Sequence, residues 1–294
     1  MKVAIYGQVY QKNSLSSIES LLQICNKKPF NVYIEASFFD SIKDEHSFQK
    51  TAKNFNTFHQ LDSSFELLIS IGGDGTILRA VTYIRDLSIP IIGINTGRLG
   101  FLATIQKNNI AKAIDDIVKG NYRISERSLL TIRTEPENES LFEFNAALNE
   151  ISVVRKNTTS MITVETSLDN EYLTSYWADG LIISTPTGST GYSLSCGGPV
   201  IMPESDSITL TPIAPHNLNA RPLVIQNSTE IKLKVSGRED SFLVSLDSRI
   251  ATLDNNSTVI IKLADFKIKM IELNSESFLN TLRNKLLWGE DKRN

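Results

Sequence analysis

The sequence predicts an α/β domain followed by a β-rich domain of antiparallel strands, with a last helix that returns to the first domain. Three observations predict this. Apolar runs of strand length alternate with helically spaced segments up to about residue 120. Short runs of alternating polarity then take over to about residue 273, and the segment 275–294 reverts to helical spacing.

Val3–Tyr6 is a short apolar run ending at Gly7, and Leu15, Ile18, Leu22 and Cys25 follow at helical spacing. Asn31–Ala36 reads as a second strand, with a polar, helix-compatible stretch after it to about residue 58. Leu67–Ile71 is a buried-type strand that runs straight into Gly72, and Ile77, Val81 and Ile84 are helically spaced beyond it. Ile89–Ile94 makes a fourth strand and 108–119 a helix. Strands separated by helices imply βαβ units and a largely parallel sheet. The texture changes at 122–127. After it come the runs Ser128–Arg133, Leu141–Ala146, Ile162–Thr166, Glu230–Val235, Phe242–Leu246 and Val259–Leu263, separated by turns such as Asp169-Asn170 and Asp254-Asn255-Asn256. That is the pattern of an antiparallel β domain. The expected domains are therefore 1–125 with 275–294, and 126–274. In the last segment Ser275 is the expected N-cap, Phe278, Leu282 and Leu286 form the apolar stripe, and Gly289 lies past the end. Such a stripe needs a partner, which the N-terminal α/β domain would provide.

At 294 residues, 41% hydrophobic and 21% charged, the chain resembles an ordinary globular protein that can bury its core without disulfides. A net charge of −3 gives no basic footprint for nucleic acid. A few local donors could still attract an anionic substrate. Cys25 and Cys196 lack metal-ligand spacing and read as reduced thiols. The opening MKVAIYGQVY is too short and polar for a signal peptide, and no run reaches the length of a membrane span. A cytoplasmic protein is expected, and the Asn-x-Ser/Thr triplets at Asn138 and Asn157 are then background.

Three segments carry chemistry. Gly72-Gly73-Asp74-Gly75-Thr76 joins a buried strand to a helix start. Its glycines allow a sharp turn and close approach of a ligand, and its amides with the helix N-terminus suit phosphate. Asp74 would sit at the carboxyl end of a strand, where open α/β sheets bind ligands. A carboxylate there can hold Mg²⁺ or take a proton from a hydroxyl. The competing reading is a plain glycine turn with Asp74 as a helix cap. Asn149-Glu150 offers a donor, an acceptor and a carboxylate to a ribose, against the plainer reading of a polar turn. The third segment, 179–199, reads DGLIISTPTGSTGYSLSCGGP. A short apolar strand enters a loop dense in glycine and hydroxyls, and Tyr192 can stack on a base or nicotinamide; a flexible linker would not hold a Pro and a Tyr inside such a run. No Walker loop, G-x-G-x-x-G with a following acid, H-R-D or D-F-G occurs, so a phosphate chemistry here is of neither the P-loop nor the protein-kinase type. His46, His59 and His216 are scattered and form no zinc pattern, with His46 and His59 expected at the surface.

These segments, together with GINTGRLGFL at 93–102 and TPIAPH at 211–216, resemble the NAD kinase family in order and spacing over nearly the whole chain. GGDGT alone is shared with diacylglycerol kinases and loosely with phosphofructokinases, and the 179–199 segment is the specific one. The resemblance implies an α/β domain meeting a β-rich domain, with the active site in the cleft. It implies transfer of phosphoryl from ATP to the 2′-hydroxyl of the adenosine ribose of NAD, with a divalent metal, Mg²⁺. Asp74 is then the proton acceptor, with Gly75 in the same loop. Asn149 and Glu150 contact ribose and adenine. Asp179, Thr187, Thr190, Gly191, Tyr192, Ser193, Ser195 and Ala214 hold the dinucleotide, and Arg79 and Arg249 add polar contacts. The β domains pair into a homodimer or homotetramer, and Asp179 and Ala214 reach a neighbour's dinucleotide. The chain departs from the family pattern at Trp177, where a basic or polar side chain is expected, at Ser160 in place of His or Arg, and at Gly191 in place of Ala.

Two other classes fit parts of this. A lipid or sphingoid kinase shares GGDGT but not the Thr187–Ser195 loop, and it would need a membrane-binding helix. A dinucleotide sensor without catalysis would not need Asp74.

Overall fold

The computed structural model describes residues 1–8, 12–45, 55–138, 141–157 and 160–287. The chain divides into two compact units, Met1–Glu126 with Ile268–Asn294, and Arg127–Lys267.

The first unit is built on a parallel sheet. Strand β1 (Lys2–Gly7) leads to helix α1 (Lys12–Cys25), β2 (Asn31–Glu35), α2 (Ala36–Ile42) and β3 (Asn56–Phe58). Then come β4 (Leu67–Gly72), α3 (Asp74–Ile84), β5 (Ile91–Asn95), β6 (Ile105–Gln106) and α4 (Ile110–Lys119). The order β3-β2-β1-β4-β5 is parallel throughout. β1 to β3 run outward in one direction and β4 to β5 in the other, so the strand order reverses between β1 and β4. In open α/β sheets ligands bind outside the carboxyl ends of the strands at such a reversal. β4 is buried at every position, which explains an apolar run broken only by the small Ser70. The helices return their apolar stripes to the sheet, through Ile18, Leu21 and Leu22 of α1 and Ile110, Ile114 and Ile117 of α4. α4 ends at Gly120, whose φ of 73° is the left-handed conformation that glycine adopts without penalty.

The second unit is antiparallel. Its strands are β7 (Tyr122–Glu135, which enters it from the first unit), β8 (Ala146–Ala147), β9 (Glu150–Arg155), β10 (Ile162–Leu168), β11 (Glu171–Ala178) and β12 (Gly180–Ser184). A 3-10 turn (Thr187–Thr190) and a one-turn helix α5 (Tyr192–Ser195) follow. The remaining strands are β13 (Ser207–Ile213), β14 (Leu223–Gln226), β15 (Ile231–Ser236), β16 (Ser241–Leu246), β17 (Arg249–Asp254) and β18 (Thr258–Leu273). One sheet runs β14-β13-β12-β9-β16-β17. In the other, β11, β10, β15 and the start of β18 pair in that order. Phe242, Val244, Leu181, Ile183, Leu233 and Ile261 belong to one buried cluster of this unit.

The end of β18 belongs to the first unit, where Met270 pairs in parallel with Ile91 of β5. Helix α6 (Phe278–Leu286) follows. Lys285 Nζ donates to Leu99 O at 2.8 Å and the Phe278 ring lies 6.3 Å from that of Phe101, so the last helix returns to the α/β unit as expected.

Some local expectations are corrected. The N-cap of α6 is Ser277, whose side chain accepts from Asn280 N, rather than Ser275. Both are serines near the start of the apolar stripe, and only Ser277 stands one residue before the first helical turn. Residues 141–145 form no strand, and pairing is confined to Ala146 and Ala147 opposite Leu130 and Thr131. The stretch after β2 contains helix α2 and strand β3. Its residues 46–54, with His46, lie outside the described residues, as does Gly289. No helix among the described residues is long and apolar enough to cross a membrane.

Candidate active site

Asp74 opens α3, immediately after the carboxyl end of β4. Its carboxylate accepts three backbone N–H groups of one loop: Phe101 N on Oδ2 at 2.8 Å, and Leu102 N and Ala103 N on Oδ1 at 3.0 and 2.9 Å. The side chain is therefore held in one orientation rather than capping its own helix. A Cβ added at Gly73 or Gly75 would meet nothing within 4 Å, so the turn beside the carboxylate is open to a ligand. A Cβ at Gly100 would overlap the Asp74 carboxylate. Arg79 lies exposed further along α3.

In the second unit, Asn149 and Glu150 sit where β9 begins, next to the end of β12, with Glu150 paired to Ser184. The loop after β12 folds down on them. Thr185 N donates to Asn149 O at 2.9 Å, and Thr185 Oγ1 donates to Leu148 O at 2.6 Å while accepting from Gly188 N at 3.1 Å. Gly188 lies directly on the Asn149 backbone, with no room for a Cβ. Thr190 Oγ1 donates to Thr187 O at 3.1 Å, closing the 3-10 turn. From the other side the buried Asp247 carboxylate accepts from Leu148 N, Asn149 N and Glu150 N at 3.0, 2.8 and 3.2 Å.

This packing leaves three buried oxygens without a partner among the described residues: Asn149 Oδ1, Glu150 Oε2 and Thr187 Oγ1. Buried polar atoms are nearly always hydrogen-bonded, so such a group of orphans needs a reason. A Cβ at Gly191 would come within 2.9 Å of Glu150 Oε2 and 3.2 Å of Asn149 Nδ2, so glycine keeps that approach open. The Tyr192 ring beside it is 42% exposed. Burial pushes the Glu150 carboxyl up to about 8; the Asp247 charge adds to this and the Tyr192 backbone N–H opposes it. Burial also raises Asp247, against the three amides and Arg249.

The other expected residues divide by what they touch. Ser195 and Ala214 are exposed, with Ala214 at a φ of 44°. Asp179 pairs with Arg155 at 2.9 Å. The Ser193 hydroxyl is buried and shares a hydrogen bond of 2.8 Å with Thr211 Oγ1. The Arg249 guanidinium donates to Phe144 O and Ala146 O and lies 3.9 Å from Asp247 Oδ2, so it braces the segment leading into Leu148. The Trp177 ring packs at a tilt against that of His216, with centroids 4.3 Å apart. Ser160 lies in the bend before β10. Sequence reasoning missed Thr185, Asp247 and Asn95. The signal for Asp247 was Asp247-Ser248 between two alternating runs, a two-residue hairpin turn.

A family model described as the ATP-NAD kinase N-terminal domain matches residues 9–122, and one described as the ATP-NAD kinase C-terminal domain matches residues 148–273. A protein named NAD kinase from Christiangramia forsetii is 59% identical over 294 residues, covering 100% of both chains. One from Flavobacterium johnsoniae is 58% identical over the same span, again covering 100% of both. Among solved structures, an NAD kinase from Archaeoglobus fulgidus in complex with ATP superposes with a TM-score of 0.73 at 25% identity, over 98% of this chain and 99% of that one. Yeast NADH kinase complexed with NADH gives 0.85 at 21% identity, over 99% of this chain and 88% of that one, which speaks for the shared fold.

Proposed function

The chain belongs to the NAD kinase family and phosphorylates NAD to NADP, and we propose the following assignment of its residues to that reaction. The observation that carries it is the group of orphaned oxygens, Asn149 Oδ1, Glu150 Oε2 and Thr187 Oγ1, beside the exposed Tyr192 ring. An adenosine supplies hydroxyl and amino hydrogens to such acceptors and a flat base to the ring. Asn149 and Glu150 take the ribose and adenine of NAD. Thr187, Thr190, Gly191, Tyr192 and Ser195 line the same dinucleotide, and Asp179 and Ala214 reach the dinucleotide of a neighbouring subunit. Ser193 and Arg249 act by holding these segments in place.

Asp74 is the general base. It takes the proton from the ribose 2′-hydroxyl as that oxygen attacks the γ-phosphorus of ATP. The bond from the γ-phosphorus to the β,γ-bridging oxygen breaks, and ADP leaves with that electron pair. Such a transfer depends mainly on positioning and charge neutralisation. Gly75 and the amides opening α3 face the phosphates, whose negative charge suits a helix N-terminus. Arg79 adds a cation on the same helix. Among the described residues no group of three or more His, Cys, Asp or Glu can hold a metal ion. A divalent cation, Mg²⁺, would accompany the triphosphate as part of the substrate and offset its negative charge.

We also assign a homodimer or homotetramer in the cytoplasm. Support comes from the open sheet edges of the second unit. Among the described residues β17 pairs only with β16, β14 only with β13 and β11 only with β10. They expose Ile250 at 67%, Val224 at 44% and Tyr172 at 61%. Apolar edges of this kind are usually covered.

Paired variants test the assignment. Asp74→Asn should lose turnover while keeping NAD affinity, and Glu150→Gln should weaken NAD binding by about 3- to 10-fold, the worth of one neutral hydrogen bond when an amide N–H replaces a carboxyl oxygen. Asp74→Asn with full turnover, or Glu150→Gln with an unchanged dissociation constant, would remove that residue from its role.

A further inference from the structure

The loop whose amides hold Asp74 is itself held by one side chain. Asn95 is the last residue of β5, in register with Gly72 of β4, and it is 4% exposed. Its Oδ1 accepts from Gly97 N at 2.7 Å, and its Nδ2 donates to Arg98 O at 2.7 Å and Ala103 O at 3.1 Å. One amide group thus fixes both ends of the 97–103 loop, using an acceptor and two donors. Thr96 N bonds to Gly72 O at 3.3 Å, which ties the start of the loop to the turn before Asp74. The middle of the loop then delivers the three N–H groups to the Asp74 carboxylate. No other side chain of similar size presents an acceptor and two donors from one planar group.

We infer that Asn95 is a positioning residue for the phosphoryl transfer, acting through the 97–103 loop to set the Asp74 carboxylate. This rests on the assignment of Asp74 as the base. Asn95 touches no reacting atom. Without it, the loop ends lose three hydrogen bonds and the three amides no longer fix the carboxylate in one place. Displacing a catalytic group by about 1 Å can cost on the order of 100-fold in rate. Dinucleotide binding, assigned to the other unit, should be spared.

The test uses the full-length enzyme with Mg–ATP and NAD, in the variants Asn95→Ala, Asp74→Asn and the double variant. Asn95→Ala should lower kcat by about 10- to 100-fold. Its NAD dissociation constant, read by calorimetry without ATP, should stay within about 3-fold of wild type, because the lost contact acts on the base rather than on substrate binding. In the Asp74→Asn background the second change should cost nothing further in residual turnover, since both act through one group. Unchanged kcat in Asn95→Ala would overturn the inference. So would equal losses in kcat and NAD affinity, or additive losses in the double variant. Should Asn95→Ala fail to fold, Gly100→Ala crowds the same carboxylate from the loop side. It must then show the same loss of kcat with retained NAD affinity, and full turnover in it overturns the inference. Full turnover in Asp74→Asn alone would instead sink the assignment of the base.

Discussion

Replacing Glu150 with Gln removes a carboxyl that the fold keeps from ionising. Burial and the Asp247 charge raise it from its ordinary value of 4.5 to about 8. In the unfolded chain the same group ionises near 4.5. Between those values the native state holds the proton and the unfolded state does not, so stability falls as pH rises. The contribution is fully present below pH 4.5 and lost as pH passes through about 8. At about 1.4 kcal/mol per pH unit, this interval sets a ceiling of roughly 5 kcal/mol. Local relaxation and water entry lower the real figure. Asp247 is raised as well and contributes the same sign; it remains in both proteins, and the loss of its repulsion with Glu150 in the variant acts in the same direction. The assay is thermal unfolding without nucleotide between pH 5 and 8.5. Glu150→Gln should gain on wild type steadily as pH rises, by a few kcal/mol across the range, and the gain should level off above about 8. Wild-type and variant curves that stay parallel across the range would refute the reasoning.

Asp74→Asn keeps an oxygen for Leu102 N and Ala103 N but can set Nδ2 against the Phe101 N–H, so turnover should fall by about 10²- to 10⁴-fold, with a loss of about 1–3 kcal/mol in unfolding free energy. Steady-state kinetics and a urea melt read the two separately. Tyr192→Ala should weaken NAD binding by about 3- to 10-fold and Tyr192→Phe by much less, since stacking is worth about 0.5–1.5 kcal/mol; calorimetry showing both equally weak would shift the role to the hydroxyl. Diluting the enzyme below its subunit dissociation constant should lower specific activity, and NAD should favour the assembly by mass action. Sedimentation alongside the activity assay checks this, and a fully active monomer would contradict it.

The architecture was legible where one period dominated. Leu67–Ile71 reads as a buried strand because every position of β4 is covered, and α4 shows its stripe through Ile110, Ile114 and Ile117. β11 was not legible. Of its eight residues only Tyr176 and Ala178 are buried, so no apolar alternation marks it. β8, at two residues, is too short to carry a period. The site was legible as glycines and hydroxyls, but the bonds that shape it were not. The pairings of Asp74 with residues 101–103 and of Asp247 with residues 148–150 join positions far apart in the chain. Each uses backbone N–H groups, which leave no trace in residue type. The same holds for Arg249, whose guanidinium braces two carbonyls more than 100 residues earlier in the chain. Trp177, a departure from the expected pattern, finds its ring partner in His216, and only the folded chain shows that contact.

The most direct test of the account is the position of the phosphate on the product. The enzyme, incubated with Mg–ATP and NAD, should yield a dinucleotide whose phosphorus spectrum and fragmentation place one new phosphate on the 2′-oxygen of the adenosine ribose. NAD lacking that hydroxyl should bind without turnover, and Asp74→Asn should make the same product far more slowly. A new phosphate on the 3′-oxygen or on the nicotinamide ribose, or turnover of the 2′-deoxy dinucleotide, would contradict the proposed role of Asp74 as the base for the 2′-hydroxyl.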